Sequence, residues 1–269
     1  MIDRYIIYFF ILSFVGYIYE CIVMTIWIGK WDNRGFLFGP VIPIYGFGAL
    51  FGTILFQYLY TDYTPMSVFV IGMVASAILE YTVHYAMEKL FNAYWWDYSK
   101  APLNINGRIC LPATVGFGIA ALIIVYGINP HLMPVLMGMD DTLADVLAIV
   151  LVIIFTIDWT LTVSILSSFT NRVEAMDSFI NEHMENIVGT VLDESDALNY
   201  RFYNVFDKLE ERRKTLISDR IEKTVSSMSD IYRTSLSKIR GFRGKNAGRL
   251  NYMLSRVKNR VLRKKKQDE

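Results

Sequence analysis

The stretch MSVFVIGMVASAILEYTVHYAME, residues 66–88, decides the fold. It is apolar for long enough to cross the ~30 Å of a bilayer's hydrocarbon as a helix, which takes roughly 20 residues. Yet it carries Glu80, His84 and Glu88 at intervals of four, on one helix face with about 40° of drift per step. A charge at that depth costs at least ~2.5–3.5 kcal/mol on insertion scales, so it faces a partner, a cavity or a pathway. Two further apolar runs repeat the pattern. Tyr5 to Ile28 holds Glu20, and 143–168 holds Asp158. The chain therefore reads as an all-α polytopic membrane protein with a polar site inside it.

Working outward, apolar runs at 41–60 and 110–128 bring the expectation to five spans: 5–28, 41–60, 66–88, 110–128 and 143–168. Thr142 with Asp145 reads as a capping box at the start of the fifth. Pro112 falls in the first turn of the fourth, where its missing N–H costs little. Loops 29–40 and 89–109 carry Lys30, Arg34, Lys89, Lys100 and Arg108, whereas loops 61–65 and 129–142 carry Asp62, Asp140 and Asp141 and no Lys or Arg. The positive-inside rule then places the first pair of loops and the C-terminal tail in the cytoplasm, with the N-terminus outside the plasma membrane. Arg4 alone disagrees. The run from Tyr5 to Ile28 has no basic n-region and no small-residue cleavage site, so it is expected to stay as a helix.

Charge divides the chain. Residues 1–170 carry 6 Lys/Arg and 11 Asp/Glu, and residues 171–269 carry 21 and 15. We read 1–170 as a transmembrane domain, 171–237 as a cytoplasmic amphipathic helical region and 238–269 as a polybasic tail. In the middle region Val173, Met176, Ile180, Met184, Ile187 and Val191 recur at helical spacing, with Gly189 and the acidic 193–196 expected to end a helix. Such stripes pack within one chain or between the protomers of a homo-oligomer. Residues 238–266 contain twelve Lys/Arg and no Asp/Glu. Each basic residue near an anionic leaflet contributes about 1 kcal/mol, so lipids of the anionic inner leaflet are the expected partner. No recognition module surrounds these charges, which argues against nucleic acid. The two cysteines, Cys21 and Cys110, form no metal-ligand spacing, and no metal or cofactor is expected.

Orientation brings Glu20, Glu80 and Asp158 to similar depth, with Arg108 at the cytoplasmic start of the fourth span. The expectation is that Arg108 neutralises Glu20 or Glu80 through bidentate hydrogen bonds. Asp158 lies in TIDWTLT, among hydroxyls and a Trp. The segment RGFLFGPVIPIYGFG, residues 34–48, contains Arg34, Gly39, Pro40 and Tyr45. Its glycines and prolines break helix although it is apolar, and irregular backbone at membrane depth must be buried or line a cavity. Its free amides suit an anion, and Gly48 with Gly52 suits helix packing. The loop Trp95-Trp96-Asp97-Tyr98-Ser99, continued by Asn104-Ile105-Asn106-Gly107-Arg108, reads as a lid. Tyr81 and His84 complete the candidate site, beside Asp97 and Asn106.

These pieces, in this order, resemble a known family. Gly16 and Glu20, GFLFGPVIPIYGFG at 35–48, Glu80-Tyr81, WDYS at 96–99 and NGRICL at 106–111 are similar to the CmpB-type family of ABC transporter permeases, over about residues 5–128. The resemblance implies a transport permease. The chain has no GxxxxGK[ST] phosphate loop, and GFRGKNAG at 241–248 has the wrong spacing, so an ATPase would be a separate subunit. Two other readings stay open: an intramembrane enzyme acting on a lipid or lipid-linked head group, and a non-catalytic membrane scaffold. No recognised catalytic motif selects the former.

Overall fold

A computed structural model describes residues 1–28, 35–60, 62–193, 221–242 and 247–265, with isolated helical positions at 211, 215, 218 and 219. Arg34 and Lys30 lie outside the described residues, as do the side chains of the stripe at 173–191. Two compact units are present: Met1–Val163 together with Lys238–Arg240, and a second formed within Ser164–Ser237 and Gly241–Glu269.

The first unit is built of helices. They are α1 (Ile2–Ile28), α2 (Pro43–Ile54, continued by a π-helical turn Leu55–Leu59), α3 (Pro65–Phe91), α4 (Leu111–Leu122, continued by a π-helical turn Ile123–Ile128), α5 (Asn129–Met137) and the part of α6 (Asp141–Asp193) up to Val163. Four stretches are long and apolar enough to cross a membrane: Ile2–Ile26, Pro65–Phe91, Leu111–Met137 and Asp141–Phe169. Their outward side chains are apolar, as lipid requires: Val74, Ile78, Ile149, Ile154 and Ile157 are all exposed.

The five spans read from the sequence are corrected here to four of membrane-crossing length. The second pass, Pro43–Leu59, is a shorter apolar helix. Pro43 sits in its first turn and cannot donate to a preceding turn, so residues 35–42 stay irregular instead of extending the helix. The pass is nevertheless antiparallel to α1 along its whole length. Tyr58 OH meets Tyr5 OH at 2.5 Å, Thr53 meets Tyr8 at 2.8 Å, and Tyr45 reaches Glu20. Gly16 and Gly46 permit that approach. A Cβ at Gly46 would lie 2.1 Å from Ser13 Oγ, and one at Gly16 would lie 2.3 Å from the Tyr45 ring. At Gly52, read as a packing residue, an added Cβ would meet nothing within 4 Å among the described residues outside its own turn of helix.

Three further boundaries differ. The fourth pass runs on to Met137, because Pro130 falls in the first turn of α5 directly after the π-helical turn, where a missing donor is tolerated. The cap of α6 is Asp140, whose Oδ1 accepts from Leu143 N at 3.1 Å, and not Thr142. Helix α6 continues without a break through Gly189 to Asp193, since no Gly or Pro stands between Phe169 and Arg172 to stop it.

Alternation of direction groups the ends. Arg4, at the start of α1, donates to the Leu136 and Met139 carbonyls at 3.0 and 2.6 Å, and to Asp141 at 2.7 Å. Its charge is thus absorbed by Asp3, Asp141 and the C-terminal carbonyls of α5. The core beside it joins Ile7, Tyr8 and Leu12 of α1 to Ala49, Met133, Leu136, Ala144 and Ala148. A second core joins Phe56, Val68 and Val125. The opposite end carries the 92–110 loop and the site described below.

In the second unit, residues 221–227, Asp230–Ser237 and Ala247–Lys265 are helical. Leu250, Met253, Leu254 and Val257 are buried, as are Ile221, Val225, Met228 and Leu236. Most apolar residues interleaved with the basic ones are therefore core residues of a folded unit, whereas Leu262 is exposed. Arg260 bonds Glu222 at 2.7 Å, and Asn251 caps the Phe242 backbone in both directions.

Candidate functional site

Two carboxylates from different helices meet a pair of phenols. Tyr45, one turn into α2, donates its hydroxyl to Glu20 Oε1 of α1 at 2.5 Å. Tyr98, in the 92–110 loop, donates to Glu80 Oε1 of α3 at 3.4 Å. Glu80 is 5 % exposed, and its Oε2 has no hydrogen-bond partner among the described residues. The Tyr98 hydroxyl is pushed well above the ordinary tyrosine range, first by burial and then by its neighbours Glu80 and Glu20. That electrostatic reach places Glu20 in the same cluster as Glu80 and Tyr98. Among the described residues, neither carboxylate is paired with a cation.

Arg108 does not neutralise this pair, contrary to the expectation. Its Nη2 donates to Glu88 Oε2 at 3.0 Å and its Nη1 to Tyr81 OH at 2.8 Å. The guanidinium also lies over the Tyr81 and Tyr85 rings, 5.0 and 5.1 Å from their centroids. The reason is reach. Glu88 is two turns beyond Glu80, about 12 Å along the helix, and it is level with the start of α4. Burial works against the Arg108 charge, but the hydrogen bonds to Glu88 and Tyr81 outweigh it and hold the guanidinium above its ordinary range.

His84 sits between the two groups, 1 % exposed, with Nε2 3.2 Å from the Trp96 carbonyl and Nδ1 3.7 Å from Glu88. Trp96 in turn donates Nε1–H to the Arg108 carbonyl at 2.9 Å. Asn106 donates to Tyr81 OH at 3.1 Å. Asn106 and Gly107 both take positive φ, 54° and 68°, which lets the loop turn back so that Tyr98 N meets the Gly107 carbonyl at 2.8 Å. Asp97 is exposed and caps its own turn through Ser99 N at 3.0 Å. The loop is thus a folded cover carrying Tyr98 to Glu80. Asp97 itself does not reach the carboxylates.

Asp158 forms a separate arrangement with the irregular segment. Its Oδ1 accepts from Phe38 N at 2.9 Å and from Thr162 at 3.2 Å, and its Oδ2 accepts from Gly39 N at 2.7 Å. The free amides expected to hold an anion hold this carboxylate. Pro40 follows directly, and Ile42 N closes the turn on the Ser13 carbonyl at 3.0 Å. Lys238 donates to the Leu37 carbonyl, and burial pushes its ammonium below the ordinary range while Asp158 pulls it back.

Sequence reasoning missed Tyr98, because an interfacial tyrosine needs no polar partner to explain it. It also missed a buried triangle of Tyr8, Thr53 and Asn129, whose three bonds span 2.8–3.0 Å. No group of His, Cys, Asp and Glu that could hold a metal occurs among the described residues.

No curated protein and no solved structure matches the chain. The family described as Putative ABC-transporter type IV matches residues 7–163, from α1 through most of the membrane-crossing part of α6, and so takes in every site residue above except the Lys238 contact. The chain is therefore a multi-pass membrane protein belonging to that ABC-transporter family.

Proposed function

We propose that this chain is the membrane-embedded permease of a transport system, and that its substrate passes or binds at the Glu20–Tyr45–Tyr98–Glu80 cluster. The observation that carries the reading is Glu80 Oε2, a buried acceptor with no partner among the described residues, inside a helix of membrane-crossing length. A polar atom left unsatisfied in that setting costs ~1–3 kcal/mol or more, and function is the usual reason for tolerating it. The family supports a transport component. Energy from ATP would come from a separate subunit, since this chain has no phosphate loop.

Loop charges favour the 92–110 cover facing the cytoplasm and Arg4 facing outward, in the plasma membrane. The basic residues of 238–266 then meet the anionic inner leaflet with their charged faces, because Leu250, Met253, Leu254 and Val257 are already buried.

The test compares small-molecule content in cells holding the wild type, Glu80→Gln or no copy, by untargeted mass spectrometry of cells and medium. The reading expects at least one metabolite whose distribution depends on the wild type and reverts in Glu80→Gln at equal membrane abundance. Identical profiles for wild type and empty cells would overturn it.

A further inference from the structure

The ligand class of the cluster follows from what its atoms lack. Glu80 has one oxygen on Tyr98 and the other on no partner among the described residues. An ionised carboxylate in such a place would need a cation or several donors. The groups facing it are Tyr98 from the loop, Glu20 from α1, Tyr45 from α2 and His84 one turn along α3, with Cys110 at the start of α4 beyond Tyr98. Tyr45 gives its hydroxyl hydrogen to Glu20. The nearest guanidinium, Arg108, is engaged by Glu88 and Tyr81. A carboxylic acid meets these demands, because its O–H needs no countercharge and its carbonyl oxygen accepts the Tyr98 hydrogen bond.

We propose that Glu80 is a proton-binding site, loaded in the covered conformation seen here and emptied when the 92–110 loop lifts. This rests on the reading of the cluster as a transport site. In the step, the Glu80 O–H bond breaks, its electron pair stays on the carboxylate, and the proton passes to water admitted under the displaced loop. Tyr98 acts as the positioning residue, holding the carbonyl oxygen while the loop is down. Three contacts keep it there: Asn106 on Tyr81, the Trp96 carbonyl on His84, and Arg108 on Glu88.

The experiment is pH-difference infrared spectroscopy of the full chain in lipid nanodiscs. At neutral pH the wild type is expected to show a protonated-carboxyl C=O band that disappears on alkalinisation. Glu80→Gln should lose the band, and Glu20→Gln should keep it. Tyr98→Phe should keep the band but move it to higher frequency, because the carbonyl loses its hydrogen bond. If Glu80→Gln does not fold, the Tyr98→Phe shift decides. No neutral-pH band in the wild type, a band that survives Glu80→Gln, or a band unmoved by Tyr98→Phe would each overturn the proposal. The metabolite comparison fails separately. A band without transport would sink the permease reading alone, and transport without a band would sink the proton site alone.

Discussion

Gly39 donates its backbone N–H to Asp158 Oδ2 over 2.7 Å, joining positions 119 residues apart. A side chain there would crowd the contact, because a Cβ would stand 2.9 Å from that same oxygen. Asp158→Ala leaves the Phe38 and Gly39 amides without an acceptor, at ~1–3 kcal/mol for each buried group. Gly39→Ala pushes the carboxylate away and costs about 1–3 kcal/mol by crowding. Since both break one contact, the double variant should lose ~0.5–3 kcal/mol less than the sum of the singles. Melting of the purified full chain in detergent measures it. Simple additivity would contradict the contact.

Arg108 supplies a second cycle. Arg108→Ala leaves Glu88 without its guanidinium and should destabilise by up to ~3–5 kcal/mol, the cost of breaking a buried pair. Adding Glu88→Gln should restore part of the melting temperature, and adding Glu80→Gln should not. Rescue by Glu80→Gln instead would return the arginine to the carboxylate cluster.

Tyr98 predicts an alkaline limb. Its folded hydroxyl titrates above the ordinary value of 10.0 because it is buried beside Glu80 and Glu20. Above about pH 10 an unfolded phenol ionises and the folded one does not, so stability held at lower pH is lost as pH rises. Tyr98→Phe should lower stability near neutrality by ~0.5–1.5 kcal/mol through the lost hydrogen bond, yet flatten the decline above about pH 10. Melting temperatures across that range check the sign. A decline as steep as in the wild type would contradict it.

The carboxylates were legible in the sequence and their partners were not. Glu20, Glu80 and Asp158 interrupt runs that are otherwise apolar, and no surface reading competes with that. Which group answers each acid depends on how far a helix has turned and where a loop folds back, and neither is encoded in spacing along one helix. Arg108 meets Glu88 because the loop ends level with it. Phe38 and Gly39 meet Asp158 because Pro43 delays the helix and leaves their amides free. Span lengths were misjudged where hydropathy and helicity part: residues 41–42 are apolar but not helical, and residues 129–137 are helical although they contain two prolines.

The last helix predicts how the second unit falls apart. Truncation after Ser237 removes Leu250, Met253, Leu254 and Val257, all buried. Hydrogen exchange should then lose protection in 221–237 while Pro65–Phe91 stays as slow as in the full chain. Unchanged protection at 221–237 would mean that those residues do not depend on the last helix.

The account depends most on alternate passes that put the Tyr98 loop and the Arg4–Asp141 contact on opposite sides of the membrane. Asp97 and Asp140 are exposed in those two places. In a background with Cys21 and Cys110 replaced by alanine, single cysteines at 97 and 140 can be labelled in intact cells with an impermeant maleimide. The account predicts labelling at 140 from outside, and at 97 only after the membrane is opened. Labelling of both positions from the same side would contradict it.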